Sequence, residues 1–354
     1  MSRRPIGVVG GRGDVGSAAV GWLAAAGLGP VLVGGRHPRG TGCPASAYQQ
    51  VDVADARGLA AFAGRCRLVV NCAGPAHTVG DRVALAALAA GADYVDAGGD
   101  DPLHAALDPD RYAAAGRVAV LSAGLRPGLT GLLPRWAARD LGPGATLRSH
   151  LAVRDAFTEV AAADYLAAAG GAARAAWRGG RVVAGALRRG ALPALPHLDG
   201  PVTTLPYLDP EAGRVAAALR LADGEWYTAL TGPHMTAAFD RAPALPRPAA
   251  VADLCRSSRL DLCGRPARVV LVVSVAGERE RTVVVHAAGN AAVTGAVVGL
   301  TVEAVLAGAV PPGRHFAADV LDPAAAIARL TGTGAAALTV RDGVAADDVE
   351  EGTC

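Results

Sequence analysis

Nine residues near the N-terminus, Val8-Val9-Gly10-Gly11-Arg12-Gly13-Asp14-Val15-Gly16, have the types and spacing to hold a pyrophosphate. Gly11-x-Gly13-x-x-Gly16 places three glycines where a chain must turn tightly, approach a ligand with its backbone, and pack a helix closely on a strand. In a sequence with 46 glycines the spacing has meaning only through its flanks. Residues 6–9 form an apolar run that reads as a buried strand, and the Ala-rich residues 17–26 read as a helix. A helix starting there aims its unpaired N–H groups and positive dipole end at the phosphates. Gly10, Gly11, Arg12, Gly13, Asp14, Val15 and Gly16 are therefore expected to bind a dinucleotide.

The cofactor is chosen at the end of the second strand, expected over 30–34. An NAD site commonly has Asp or Glu there for the ribose 2′-hydroxyl, whereas this chain has Gly35-Arg36-His37-Pro38-Arg39. A guanidinium at Arg36 forks onto a 2′-phosphate, so NADP (as NADPH) is expected rather than NAD. The third strand, expected over 47–53, ends at Asp52 and Val53. Asp52 either accepts from the adenine amine or is a turn residue. The fourth strand ends in Asn71-Cys72-Ala73-Gly74-Pro75, whose small residues Cys72, Ala73, Gly74 and Pro75 let a nicotinamide ribose come close.

Candidates for the chemistry itself lie in the later loops. Asp96 and Asp100 end the fifth strand. Asp96 is suited to orient the ribose or pair with a substrate ammonium, with capping of the following Pro102 helix as the competing role. His77 follows the Gly74-Pro75 turn and would serve as a proton donor, although a loop histidine is commonly just solvated. Arg126, beside Pro127-Gly128, is suited to a carboxylate, and Gly124 sits in the same turn. Tyr227 and His234, the latter in Thr231-Gly232-Pro233-His234-Met235, are candidate substrate contacts. Cys72 reads as a small packing residue rather than a nucleophile.

The elements that must position these residues alternate regularly. Strands are expected over 6–9, 30–34, 47–53, 67–72, 93–96 and 117–122, with helices over 17–26, 55–64, 81–91 and 102–115. Six strands joined by short helical connections define an α/β class with a doubly wound parallel sheet. From residue 128 the pattern changes to an α+β arrangement. A helix with Pro134 inside it is expected over 129–141, strands over 145–153 and 225–230, a helix over 159–169, and a hairpin over 267–275 and 281–286. Residues 179–210, rich in Gly, Pro and Arg, read as irregular. A mainly antiparallel sheet with helices on one face is expected there. The expected division is a dinucleotide-binding domain over 1–125, completed by a returning segment over 289–354, and a substrate and oligomerisation domain over 126–288. The apolar run 290–310 approaches membrane-spanning length, but it is rich in Ala and Gly and carries Glu303, so it reads as a buried helix. The acidic end, 342–354, reads as frayed.

Composition excludes several chemistries. All 34 Lys+Arg residues are Arg, so a Schiff-base lysine, a Walker lysine and a Tyr-x-x-x-Lys relay are impossible. A net charge of +2 and 4% aromatics give no reason to expect nucleic acid or an anionic membrane as a partner. Six cysteines at no zinc-like spacing read as reduced thiols of a cytoplasmic protein, with no metal site. The first strand starts within a few residues of Met1, so no signal peptide is expected.

Three further stretches, Asn71-Cys72-Ala73-Gly74-Pro75, Ala90-Gly91-Ala92-Asp93-Tyr94-Val95-Asp96 with Gly99-Asp100, and Ala123-Gly124-Leu125-Arg126-Pro127-Gly128, occur in order after the glycine loop. Together they resemble the saccharopine dehydrogenase-like reductase family over about residues 5–131, and more loosely over 289–322. The resemblance implies an NAD(P)-dependent oxidoreductase, a Rossmann domain with an inserted α/β substrate domain, a small-molecule substrate, a homodimer, and hydride transfer to or from a C=N or activated C=C bond. Members that rely on a catalytic Lys with a His are no guide, because this chain has no Lys. Three readings stay open: an NADPH-dependent imine or ketimine reductase of biosynthesis, an enoyl reductase on a carrier-bound or lipid substrate, and a dinucleotide-binding regulator without catalysis.

Overall fold

The computed structural model describes residues 4–37, 47–168 and 174–344. Pro38, Arg39, Cys43 and most of the acidic C-terminal stretch lie outside the described residues. The chain divides into two compact units, Met1–Leu132 with Asn290–Ala335, and Leu133–Gly289 with Ala336–Cys354.

In chain order, the first unit begins with β1 (Ile6–Val9), α1 (Asp14–Ala25), β2 (Val31–Gly35), β3 (Ala47–Gln50), α2 (Ala56–Ala63), β4 (Leu68–Asn71), α3 (Ala76–Val79), α4 (Arg82–Ala89), β5 (Asp93–Asp96), α5 (Asp101–Ala106), α6 (Pro109–Ala114) and β6 (Val118–Leu121). The helix α7 (Leu129–Ala137) runs into the second unit. That unit contains β7 (Thr146–Arg154), α8 (Glu159–Ala168), β8 (Ala176–Arg178), β9 (Arg181–Val183), β10 (Gly190–Leu192), β11 (Val202–Pro206), α9 (Pro210–Ala218), β12 (Asp223–Leu230), α10 (Pro233–Arg241), α11 (Arg247–Leu262), β13 (Arg268–Ala276) and β14 (Arg279–Ala287). The chain then returns to the first unit as α12 (Asn290–Leu306), β15 (Gly313–Phe316), α13 (Ala317–Val320) and α14 (Pro323–Gly332), and ends on β16 (Ala337–Val344).

The first unit is a seven-stranded sheet in the order β15-β6-β5-β4-β1-β2-β3, with every neighbouring pair parallel. The order reverses between β1 and β4, the place where open α/β sheets bind ligands. The inner strands β1, β2, β4 and β6 are buried and mainly apolar because helices cover both faces, whereas the edge strands β3 and β15 carry polar residues. On one face α2, α4 and α6 close a core around Phe62, Val83, Tyr94 and Tyr112. On the other, α1 packs against α12. A Cβ at Gly295 would stand 2.5 Å from Ala18 Cβ, and one at Gly299 would stand 2.1 Å from Trp22 Cδ1, so the small residues of α12 exist to admit α1. Trp22 Nε1 donates to Glu303 Oε1 at 2.8 Å, and Arg329 grips the same carboxylate through Nε and Nη2 at 3.0 and 2.9 Å. That accounts for the apolar run. Among the described residues no helix is long and apolar enough to cross a membrane.

The second unit is a nine-stranded sheet, with β10-β11-β12-β7-β13-β14-β16 as its main path and β8 and β9 attached at β12. All its pairs are antiparallel except β12 with β7. The helices α8, α10 and α11 pack together around Ala162, Ala238 and Leu254.

Four sequence expectations are corrected. The helix expected over 102–115 is two, α5 and α6, because Pro109 starts a new helix capped by Asp108, whose carboxylate accepts from Asp110 N at 2.9 Å. The third strand stops at Gln50 rather than 53, where Asp52 turns the chain. Residues 179–210 are not irregular: three short strands form there, because β12 offers pairing edges to both β8 and β11. The last strand leaves the returning segment and pairs along β14 from Arg279↔Val344 to His286↔Ala337, completing the second sheet instead of the first unit.

Candidate functional site

The glycine loop sorts its glycines by what surrounds each. A Cβ at Gly16 would lie 2.2 Å from Gly10 O, and one at Gly11 would lie 2.9 Å from Val8 O, so the fold itself demands both. Gly10 has φ +73°, and its Cβ would meet Ala73 N at 2.8 Å. The loop after β1 thus touches the loop after β4 at the switch point. Gly13 is different. Its nearest neighbour to a Cβ would be Gly10 O at 3.4 Å, and its φ of −76° suits any residue. Gly13 also stands at the N-cap of α1 without a side-chain cap. The fold leaves that face of the loop open, and a side chain there would occupy the space a pyrophosphate needs. The residues present fit a dinucleotide on this count. Asp14 and Val15 form the first turn of α1.

The end of β2 is tied to β3. Tyr48 OH donates to Gly35 O at 2.7 Å, and Gln50 Nε2 donates to Arg36 O at 3.1 Å. The Arg12 guanidinium lies over the Tyr48 ring, 4.9 Å from its centroid. Two arginines therefore stand at the β1 and β2 ends, one held by an aromatic face and one exposed on an anchored backbone. Asp52 is exposed and accepts from Ala54 N at 2.9 Å, the turn role of the two foreseen, and Val53 follows it half-buried.

The loops after β4, β5 and β6 are knitted around Asp96. This carboxylate is 4% exposed; Oδ2 accepts from Asn71 Nδ2 at 3.1 Å and from Tyr94 OH, and Oδ1 accepts from Gly98 N at 2.9 Å. Asn71 Oδ1 in turn accepts from Ala73 N at 3.1 Å, shaping the Cys72-Ala73-Gly74-Pro75 loop. Ser122 Oγ donates to Gly99 O at 2.8 Å, and Ala123 N donates to Asp96 O at 2.9 Å. Asp96 thus holds three strand ends together from inside. Burial, then the Asp96 charge and hydrogen bond, push Tyr94 well above its ordinary range. Burial, with the Asp96 charge second, does the same to the Cys72 thiol, which fits a packing role and not a nucleophile. Asp100 caps α5 by accepting from Asp101 N at 2.8 Å, so the cap of the Pro102 helix is Asp100 and not Asp96.

Gly124 lies in a turn closed by its own N–H to Pro127 O at 3.0 Å, and its Cβ would meet Ala97 O at 2.5 Å. Arg126, half-buried, precedes a cis proline in that turn. Gly74-Pro75 is also cis, and His77 is exposed on α3 immediately beyond it. Glycine loop, Asn71–Pro75 loop, Asp96–Asp100 loop and Gly124 turn all lie at the C-terminal ends of β1, β4, β5 and β6.

Tyr227 and His234 belong to the second unit and to separate networks there. Tyr227 OH donates to Glu225 Oε2 at 3.0 Å, and its ring stacks on His150 at 5.0 Å. Burial first, then the bond to Glu225, push Tyr227 up to about 12. Burial first, then Arg148, push His150 down to about 4 against the pull of Glu225. Burial would raise Glu225, but hydrogen bonds from Arg178, Tyr227 and Arg148 outweigh it and hold the carboxyl below its ordinary value. His234 stands at the start of α10, where Asp261 accepts from His234 N at 3.2 Å and Met235 N at 2.7 Å. Asn71 and Tyr94 stand in the stretches that carry the resemblance but were given no role of their own, and Tyr48 was passed over. Asn71 and Tyr94 carry a usable signal, a polar residue at or beside the end of an apolar strand. Tyr48 carries none. Among the described residues no group of three His, Cys, Asp or Glu could hold a metal ion.

These features define a doubly wound α/β unit with a glycine loop at its switch point, joined to a unit built on a large mixed sheet. No family model matches the chain, and no curated protein matches it. Among solved structures the chain is similar to apo histidine-tagged saccharopine dehydrogenase (L-Glu forming) from Saccharomyces cerevisiae, with TM-score 0.69, 14% identity, and 96% of this chain and 100% of that chain covered. It is also similar to GenD2 from gentamicin A biosynthesis in complex with NAD (TM-score 0.45, 16% identity, 96% and 97% covered). The WlbA (WbpB) dehydrogenase from Thermus thermophilus, in complex with NAD and UDP-GlcNAcA, matches with TM-score 0.44 and 15% identity over 87% and 89% of the two chains. The first of these likenesses spans both units, and the chain has the saccharopine dehydrogenase fold.

Proposed function

We propose that this protein is an NADPH-dependent reductase acting on a C=N bond in a small, amino-acid-derived molecule. The observation that carries the reading is the open face at Gly13, a glycine the fold does not need at the N-terminus of a helix without a side-chain cap. The preference for NADPH is supported by Arg12 over Tyr48 and by Arg36 at the end of β2, because a 2′-phosphate is matched by guanidinium forks. The choice of a C=N bond rests on the resemblance to saccharopine dehydrogenase-like reductases and on the shared fold.

The bound nicotinamide would supply the hydride. The residues of this chain bind, orient and exclude water. Backbone N–H groups of the Gly10–Gly16 loop would face the pyrophosphate. Asn71 and Asp96 hold the loops on which the nicotinamide half would rest, and the small residues Cys72, Ala73 and Gly124 leave it room. An iminium carries its own proton, so reduction needs no dedicated acid. Where the substrate is a neutral imine, His77 is the candidate donor and Arg126 the candidate carboxylate partner.

Loss of NADPH absorbance in mixtures of 2-oxo acids and amines tests the reading. Turnover that is faster with NADPH than with NADH is expected. Oxidation with enoyl thioesters alone would move the reading to a C=C reductase. Tight NADPH binding with no turnover on any acceptor would make the protein a dinucleotide-binding regulator.

A further inference from the structure

The second unit treats its two buried arginines differently. Arg281, 7% exposed, is met by Asp342 at 2.7 Å and Asp140 at 3.5 Å, and also donates to Ala137 O at 3.1 Å. Arg154, 4% exposed at the end of β7, donates through Nε to Pro266 O at 3.1 Å. Its Nη1 is enclosed and makes no hydrogen bond among the described residues. It forms an ion pair with Asp199, 3.9 Å away, whose side chain is 98% exposed.

The surroundings add positive charge. Arg268 on β13 stands directly opposite Arg154 in the antiparallel register, a like-charge pairing that destabilises a sheet. Arg268 Nη1 donates to His197 O at 3.4 Å, and the His197 ring packs on the His286 ring with centroids 4.0 Å apart. His197 is flanked by Leu195 and Leu198, which anchor its segment in the sheet core, so the pair is held in place. Burial first, with Arg265 and Arg268 adding to it, holds the Arg154 guanidinium below its ordinary range against the pull of Asp199. Burial, then His197 and Arg268, lower His286 as well. Collecting this much positive charge around Arg154 does not stabilise the fold, since burying a guanidinium without full pairing costs free energy. An anion placed there would supply the missing charge and acceptor atoms.

We propose that Arg154, Arg265 and Arg268, with His197 and His286, form a binding subsite for the carboxylate or phosphate group of a small molecule. Arg265 and His197 form its exposed rim, and Arg154 its buried floor. The subsite stands apart from the reductase reading and is tested without any nicotinamide. The full-length protein is titrated with succinate and, separately, with inorganic phosphate, while calorimetry and the imidazole C–H resonances of His197 and His286 are followed.

Saturable binding with movement of these resonances is expected in at least one arm, and the arm that saturates assigns the anion class. Arg268→Gln and the exposed Arg265→Gln should each weaken that binding fivefold or more while the thermal melt stays within a few degrees. Linear, unsaturating titrations in both arms, or binding unchanged in both variants, would overturn the proposal. Should Arg268→Gln fail to fold, Arg265→Gln alone decides it.

Discussion

Replacing Gly13 by alanine separates the demands of a ligand from those of the fold. The added methyl would meet Gly10 O at 3.4 Å, an ordinary contact, and the φ of −76° and ψ of 171° are open to alanine. Alanine restricts the unfolded chain, which favours folding by about 0.4–1 kcal/mol, whereas losing glycine at an N-cap costs a similar amount. Stability should therefore change by less than about 1 kcal/mol. Binding should change far more, since the methyl occupies the approach of a pyrophosphate. Losing one hydrogen bond to a charged group costs about 1.5–3 kcal/mol. At about 1.4 kcal/mol per tenfold, that is a rise in the NADPH Kd of roughly ten- to a hundredfold. Gly16→Ala supplies the contrast: its Cβ would stand 2.2 Å from Gly10 O and 2.6 Å from Gly11 Cα, so the loop itself must shift. Thermal melts and NADPH titration of tryptophan fluorescence, run on both variants, read the two effects. A Gly13→Ala protein that binds NADPH with unchanged Kd would refute the assignment of this loop to a pyrophosphate.

Arg12→Ala and Arg36→Ala should each lower the ratio of NADPH to NADH affinity by about tenfold or more, in line with the loss of a charged hydrogen bond; a preference for NADPH that survives Arg36→Ala would remove the argument for the 2′-phosphate. Gly299→Ala forces a Cβ to within 2.1 Å of Trp22 Cδ1 and should cost about 1–3 kcal/mol of stability, seen as a lower melting temperature, whereas substituting exposed Gly21 on α1, around which nothing lies within 4 Å, should not. Hydrogen bonds from Arg329 and Trp22 outweigh the effect of burial and hold Glu303 below its ordinary value. Its contribution is therefore complete above the pKa of the unfolded chain and is lost as pH falls through the lower folded pKa. Glu303→Gln should narrow the stability gap between neutral and acid pH only slightly, because Arg329 is exposed to solvent; an identical pH profile would count against the pairing. Asp96→Asn removes the acceptor shared by Tyr94 OH and Asn71 Nδ2 and should lower the melting temperature through a loss of about 1–3 kcal/mol; an unchanged melt would show that the strand ends do not depend on it.

The first unit was legible because its signals are local. An apolar run followed at once by Gly11-x-Gly13-x-x-Gly16 and a helix needs no distant partner to be read, and six strands alternating with short helices leave little choice of topology. The hairpin of β13 and β14 was equally plain from its valines. Other features depended on residues far apart in sequence. Nothing local to Asp96 foretold that its carboxylate would anchor the loops from inside, because that depended on Asn71 and Tyr94 arriving beside it. Residues 179–210 formed strands only because β12 had open edges, and Ala337–Val344 found its partner in β14 across half a hundred residues. Pairing edges, like-charge juxtapositions such as Arg154 with Arg268, and the grip of Tyr48 on Arg12 are relations in space that no window of sequence contains. Residue order determined the glycine loop, the arginine after β2 and the absence of lysine chemistry, since these are properties of composition and short-range spacing. Tertiary packing alone decided which of the buried carboxylates and arginines were satisfied within the fold, because that depends on distance and burial between segments the chain brings together only when it closes.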